Sequence, residues 1–264
     1  MITVKDICQV VEGFAPLRFQ ESDDNSGLLV GDLDTPLTGV LVCLDVSEPV
    51  IDEALANGCN MIVSHHPLLY KAIKQVVGTG RVERCLAKAL KHDIAIYAGH
   101  TNVDSVSDGV SGQIANLLCM KNVTILSVAG TSETHGAYGL GVVGDLETPM
   151  DETSFLAHVK SLLNVRSMRH SAMTGTPITR VAICGGAGSS LLAEAKRAGA
   201  TLLLTGEARF HEFFTEGTGI MLVDAGHFET EQLTKALFFD LISKKFPTFA
   251  VRISSAETNP VNYL

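Results

Sequence analysis

The sequence predicts an α/β fold of two similar lobes, related by an internal repeat and facing each other across a metal-binding cleft. Three observations predict it. Short apolar runs of strand length alternate with amphipathic helical stretches, as expected of parallel strands joined by right-handed crossovers. Sliding the chain by 141 positions aligns residues 43–66 with 184–207 without a gap, with identities at Cys43/Cys184, Glu53/Glu194, Ala54/Ala195 and Gly58/Gly199. The tripeptide Ala-Gly-His, with a carboxylate four residues after the His, occurs as Ala98-Gly99-His100 with Asp104 and again as Ala225-Gly226-His227 with Glu231.

In the first half the reading gives a strand at 39–44, a helix at 48–57, a strand at 60–64, an additional helix at 81–92 and a third strand at 94–97. The matching series in the second half is a strand at 180–184, a helix at 190–198, and strands at 201–205 and 220–223. The connection 131–175 carries a Gly-rich, strand-like stretch at 136–144 and a helix over 151–163, its start marked by Pro149, Asp151 and Glu152. Within 229–246 the tail is apolar at helical spacing through Leu233, Ala236, Leu237 and Leu241, and a last strand follows at 249–253. No linker or low-complexity segment interrupts the chain. The lobes are therefore assigned to 1–130 and 131–264 and are expected to pack as one body.

At 264 residues the chain is long enough for sizeable cores. Its net charge of −9, from 29 acidic and 20 basic residues without a long run of one sign, disfavours a nucleic-acid-binding surface. Neither a signal-like start nor an apolar run of membrane-spanning length is present, so an unexported, cytoplasmic protein is expected. Six cysteines (Cys8, Cys43, Cys59, Cys85, Cys119, Cys184) show no Cys-x-x-Cys spacing and read as buried thiols in a reducing compartment.

The chemistry lies at predicted strand ends. His65-His66 ends the apolar run Met61-Ile62-Val63-Ser64, and His100 and His227 end two others. Ligands collect at the carboxyl ends of parallel strands, because loops and helix N-termini converge there. Imidazoles with carboxylates suit zinc, iron, manganese, nickel or cobalt, and the missing thiolates argue against a structural zinc cage. Either Asp104 or Glu231 could bridge two divalent ions about 3.5–4 Å apart, and water held between such ions ionises near neutral pH, so hydrolysis is the expected chemistry. Isolated histidines are more often structural, and His92, His135, His158 and His170 are read that way. His100 stands between ligand and orienting group.

Two further features are weaker. Cys184-Gly185-Gly186-Ala187-Gly188-Ser189-Ser190 is a Gly-rich turn that can present N–H groups to a phosphate, but it lacks the dinucleotide and P-loop spacings, and a structural turn is the favoured reading. Glu207 aligns with His66 and is a candidate general acid or base, against a plain helix-start role ahead of residues 208–214. His211, one turn on, could reach the same cleft.

At these residues the sequence resembles the dinuclear metal-centre proteins known as GTP cyclohydrolase 1 type 2 homologs, or Ngg-one-interacting-factor-three-like proteins. The resemblance is carried by Asp24-Asn25-Ser26-Gly27-Leu28-Leu29-Val30-Gly31, Ser64-His65-His66-Pro67, His100-Thr101-Asn102-Val103-Asp104, Cys184-Gly185-Gly186-Ala187-Gly188, Thr205-Gly206-Glu207 and residues 224–231. It implies two α/β lobes with a site for two divalent metal ions in the cleft, held by His65, His66, Asp104, His227 and Glu231, with His100 close by. It also implies a homohexameric toroid with the sites facing an internal cavity. A mean hydropathy of +0.25 permits the apolar subunit contacts this needs.

The chain departs from the family at Asp23, where many members have Trp, and at Val142, where Arg is frequent. The short connection 131–175 leaves no room for the extra domain some relatives insert. The family name implies hydrolytic opening of the guanine ring of GTP, but a shared fold and metal site do not transfer a substrate. Two functions stay open: a metal-dependent hydrolase acting on a nucleotide or another small phosphorylated or heterocyclic molecule, and a non-catalytic metal-binding or regulatory scaffold.

Overall fold

The computed structural model describes residues 1–264. In chain order the elements are α1 (Val4–Phe14), β1 (Gly27–Val30), β2 (Val40–Cys43), α2 (Glu48–Ala56), β3 (Met61–Ser64), α3 (Arg81–Lys91), β4 (Ala95–Ala98), α4 (Thr101–Asp104), α5 (Val110–Leu117), β5 (Lys121–Ser132) and β6 (Gly136–Met150). There follow α6 (Glu152–Leu162), β7 (Arg169–His170), β8 (Ile178–Cys184), α7 (Leu192–Arg197), β9 (Leu202–Thr205), β10 (Met221–Asp224), α8 (His227–Glu231), α9 (Leu233–Lys245) and β11 (Val251–Ile253). They form two compact units, Met1–Val103 with Thr234–Pro260, and Asp104–Leu233 with Val261–Leu264.

The first unit is built on a five-stranded sheet of order β1-β4-β3-β2-β11. Every residue of β2, β3 and β4 is buried, which explains why these strands read as continuous apolar runs and not as alternating ones. They pair in parallel, and β1 closes the edge antiparallel to β4. Ser47 caps α2 by accepting a hydrogen bond from Val50 N, and Pro49 sits in the first turn where its missing N–H costs nothing. Val50, Ile51 and Ala54 of α2 pack with Cys85, Leu86 and Ala89 of α3 over Leu41, Ile62 and Ile96. In α1, Val4, Ile7, Cys8 and Val11 are buried at helical spacing, and Asp6 receives the Thr3 amide at 2.8 Å.

The second unit holds a six-stranded sheet of order β5-β6-β8-β9-β10-β7 with a parallel centre, β8-β9-β10, flanked by antiparallel strands. Alternation along β9 shows both faces covered. Leu202 and Leu204 pack with Phe155 and Val159 of α6 and Ile114 of α5, while Leu203 packs with Ala195 of α7 and Phe213.

The structure explains the repeat identities. Gly58 and Gly199 end α2 and α7 at φ +67° and +77°, the left-handed conformation that favours glycine. Ala54 and Ala195 are wholly buried on equivalent helices. Cys43 pairs with Ser64, and Cys184 with Thr205, at the same register of the two parallel pairs. Only Glu53 and Glu194 differ in use, the first bonding Ser254 and Ser255, the second Arg197.

Several expectations are revised. The last strand does not stay with the second half: β11 pairs in parallel with β2, Val251 opposite Val40, covering what would otherwise be an open sheet edge. The compact units therefore follow a different division from the repeat-based 1–130 and 131–264. The tail helix is two helices, α8 and α9, and the helix expected over 208–214 is a 3₁₀ turn at Phe210–Phe213. β6 runs to Met150, well beyond residue 144. All six cysteines are unbridged, and Cys119 is exposed while the other five are buried.

Candidate metal centre

In the first unit, His65 and His66 follow the end of β3, and the ladder extends past the strand because their amides donate to Cys43 O and Leu44 O at 3.2 and 2.9 Å. His100 stands between β4 and α4, its amide donating to Asn102 Oδ1 at 3.0 Å. Ring centroids of His65, His66 and His100 are 5.0, 5.2 and 5.5 Å apart. One ring nitrogen from each lies within 4.8 Å of the others, so the group can hold a metal ion.

Each of the three rings has its Nδ1 held by an oxygen. His65 Nδ1 meets Gly99 O at 2.8 Å, His66 Nδ1 meets Asp45 Oδ2 at 3.2 Å and His100 Nδ1 meets Asp24 Oδ1 at 2.7 Å. Hydrogen bonds at Nδ1 of His65 and His100 fix the proton there and make Nε2 the lone-pair donor, the arrangement metal-binding histidines use, and the ion-pair contact with Asp45 favours the same tautomer of His66. Asp24 is the most firmly built of these acceptors. Its side chain is 1% exposed and also accepts from Thr101 N, Asn25 N and Ser26 Oγ. Burial alone would push the carboxyl up, but hydrogen bonds from His100, Thr101 and Asn25 hold it well below the usual carboxylate range.

The second unit repeats the strand-end placement with different donors. β10 ends at Asp224, and His227 and Glu231 lie one turn apart on α8, with Nε2 3.0 Å from Oε2. His227 Nδ1 faces Glu207 Oε2 at 3.3 Å. Glu231 is buried, whereas the Glu207 side chain is 64% exposed, so Glu207 touches the site's histidine while facing solvent. Asp104 is the last residue of α4.

The Gly-rich turn proves structural. Gly185 N donates to Ser111 Oγ, Gly186 N to Thr230 Oγ1 and Gly188 N to Thr205 Oγ1, so three of its N–H groups are spent internally. A Cβ on Gly186, which has φ +61°, would collide with Glu231 Oε1. Gly186 is bare because α8 presses the Glu231 carboxylate against it, and Gly188 because Cys184 lies against it.

The remaining histidines sit elsewhere. His92 caps the end of α3, His158 lies on the exposed side of α6, His135 bonds Thr134, and His170 Nδ1 bonds the neighbouring Ser171 O. His211 belongs to an exposed ring cluster with Phe210 and Phe214. A groove of about 630 Å³ between α1 and α9, lined by Val10, Leu241, Lys244 and Phe246 among others, carries no imidazole. Volume does not mark the site here; donor chemistry does. Residue-by-residue reading missed Asp24 and Asp45 as supports of the histidines. Asp24 was visible only as part of a motif, and Asp45 only as the residue two after the end of an apolar run.

Imidazoles backed by oxygen acceptors at the ends of parallel strands, with no thiolate among them, make this an α/β protein with a side-chain group that could hold a metal ion. The family model for Duf34/NIF3 (NGG1p interacting factor 3) matches residues 2–260, and the chain belongs to that family. It is 33% identical over 231 residues to a GTP cyclohydrolase 1 type 2 homolog of Clostridium acetobutylicum, covering 87% of this chain and 85% of the relative. It is 29% identical to the homolog of Streptococcus pneumoniae, with 98% of both chains covered. Among solved structures it resembles Staphylococcus aureus protein SA1388, with TM-score 0.89, 28% identity, and 100% and 99% of the two chains covered. A Bacillus cereus protein related to NIF3, 24% identical with TM-score 0.91 over 100% and 99% of the chains, shares the fold. No helix is long and apolar enough to cross a membrane.

Proposed function

We propose that the protein is a metal-dependent hydrolase acting on a nucleotide or another small phosphorylated or heterocyclic molecule. His65, His66, Asp104, His227 and Glu231 hold two divalent ions in this reading, with His100 as a neighbouring ligand or orienting group. The observation that carries it is the common support of the imidazoles: Nδ1 of His65, His66 and His100 each meets a protein oxygen, leaving Nε2 for coordination, and His227, with Nδ1 against Glu207, turns Nε2 to Glu231 at 3.0 Å, a spacing at which the two can share one ion. The absence of thiolates from this donor set favours ions that keep positions open for water and substrate. Bound ions would supply a water ionised near neutral pH. Glu207, exposed and in contact with His227, is the candidate for moving a proton to or from substrate. The names of the relatives direct the first substrate trials to GTP and other purine nucleotides.

Family resemblance also supports a homohexamer as the working assembly, and six unbridged cysteines suit the reducing cytoplasm. Elemental analysis and turnover on a nucleotide panel test the reading together. Wild type should carry metal and release product, and His66→Ala and Glu231→Ala should lose both without losing the fold. Full metal content with no turnover on any nucleotide would leave a metal-binding scaffold in place of an enzyme. Unchanged metal in both variants would remove these residues from the ligand set.

A further inference from the structure

We infer that Glu257, near the C-terminus, is a positioning residue for His66: its carboxylate substitutes for a strand beyond β11 and fixes the peptide from which His66 is held twice. The inference rests on the reading of His66 as a metal ligand only for its effect on affinity.

The geometry begins where β11 stops. Ser254 N makes one more ladder bond, to Val42 O at 2.8 Å, and the chain then turns away from β2. The turn is clamped by Glu53, whose carboxylate accepts from Ser255 N and Ala256 N and from the hydroxyls of Ser254 and Ser255. Leu44 N, next along the edge of β2, has no strand opposite it, and the chain bends there so that Asp45 N turns to the same side. Glu257 supplies the acceptors: Oε1 and Oε2 lie 2.9 and 3.0 Å from Leu44 N, and Oε1 takes Asp45 N as well. The Glu257 side chain is 5% exposed and is balanced by Lys235 Nζ at 3.1 Å.

These same two residues hold His66. Leu44 O accepts the His66 amide at 2.9 Å, and Asp45 Oδ2 faces His66 Nδ1 at 3.2 Å. Backbone and ring of the histidine are thus referred to one short segment, and that segment is referred to Glu257. Leu44 is buried, and in Glu257→Gln the side-chain NH2 would face either Leu44 N and Lys235 Nζ or both Leu44 N and Asp45 N, so that donor meets donor and the segment must move to recover its bonds. Charge-assisted bonds of this kind are about twice as strong as neutral ones, so the carboxylate holds the segment better than a strand carbonyl would.

The test uses the full chain with Glu257→Gln, and Glu53→Gln as a control that loosens the same tail while touching neither Leu44 nor Asp45. In metal-free protein at about pH 8, where an ordinary imidazole is neutral, nitrogen NMR should find His66 as the Nδ1–H tautomer in wild type. It should become a mixture in Glu257→Gln, with His100 unchanged. Zinc affinity, measured by chelator competition, should fall about tenfold in Glu257→Gln and stay at the wild-type value in Glu53→Gln. An unchanged His66 tautomer in Glu257→Gln, or an equal effect in Glu53→Gln, would overturn the inference. If His66→Ala binds zinc as wild type does, the ligand reading fails, and the tautomer measurement still decides the positioning role. Should Glu257→Gln not fold, Glu257→Asp keeps the charge beside Lys235, withdraws the carboxylate by one methylene, and is read by the same criteria.

Discussion

Asp45 and Gly186 occupy the same place in the two halves, two residues beyond the first strand of each repeat, and they serve their sites in opposite ways. Asp45 reaches out to hold His66 Nδ1. Gly186 has no side chain because Glu231 Oε1 occupies the space where a Cβ would stand. One turn supports a histidine with an acceptor; the other yields room to a carboxylate on the helix packed over it. A repeated backbone has been given complementary donors, imidazoles supported by a backbone carbonyl or a carboxylate in the first unit and a His–Glu pair in the second. The same inversion links His66 to its counterpart Glu207, a histidine held by a carboxylate becoming a carboxylate that contacts His227.

Exchanging the two residues should break this division of labour, and the largest effect is expected where space is lacking. Gly186→Asp forces a side chain into the left-handed turn against Glu231, and zinc affinity should fall about 100-fold. Chelator competition measures it, with circular dichroism to confirm the fold; near-wild-type affinity would show that Glu231 is not fixed by this contact. Asp24→Asn comes next. It keeps the shape but removes the buried charge that orders His100, and a loss of about tenfold or more is expected in the same assay. Asp45→Gly, the reciprocal exchange, should cost less than Asp24→Asn, because the Asp45 side chain is 39% exposed and solvent screens its pull on His66. Affinity lost in the reverse order would mean that His66, not His100, depends more on its support.

The smallest expected effect separates the aligned pair Glu53 and Glu194. Desolvation pushes the Glu53 carboxyl up, but the hydroxyls of Ser254 and Ser255 and the amides of Ser255 and Ala256 outweigh it and bring the group down to about 2, from an ordinary 4.5. A depressed carboxyl adds stability that is complete above about pH 4.5 and is lost as pH falls toward 2. Urea melts at about pH 5 and pH 2.5 should therefore show a larger drop for wild type than for Glu53→Gln, and equal drops would sink this assignment.

The sequence revealed most where signals were local. Continuous apolar runs identified the buried parallel strands, and histidines next to those runs identified the donors. Of the unassigned elements, α1 was legible in Val4, Ile7, Cys8 and Val11 at helical spacing, whereas β1 is defined by pairing with β4 far along the chain and β5 is a mostly exposed strand with little apolar signature. Asp24 supports a histidine 76 residues away, and no periodicity encodes that contact. β11 was found as a strand but misassigned, since an edge strand's own sequence does not say which sheet it completes. The Gly-rich turn was legible as a turn, but its purpose depended on α8, more than 40 residues downstream.

The return of the tail to the first sheet also sets an order of assembly during synthesis. The second unit is nearly continuous, residues 104–233, and has all its strands once β10 leaves the ribosome. The first unit, though translated earlier, waits for residues 234–260, which emerge roughly 10 to 40 s after β2 at ordinary elongation rates. For that interval β2 is an unguarded edge with Leu44 and Asp45 unbonded, able to recruit any passing strand. A nascent chain stalled before residue 251 should therefore be the species most in need of a chaperone, although 250 of its 264 residues are already made.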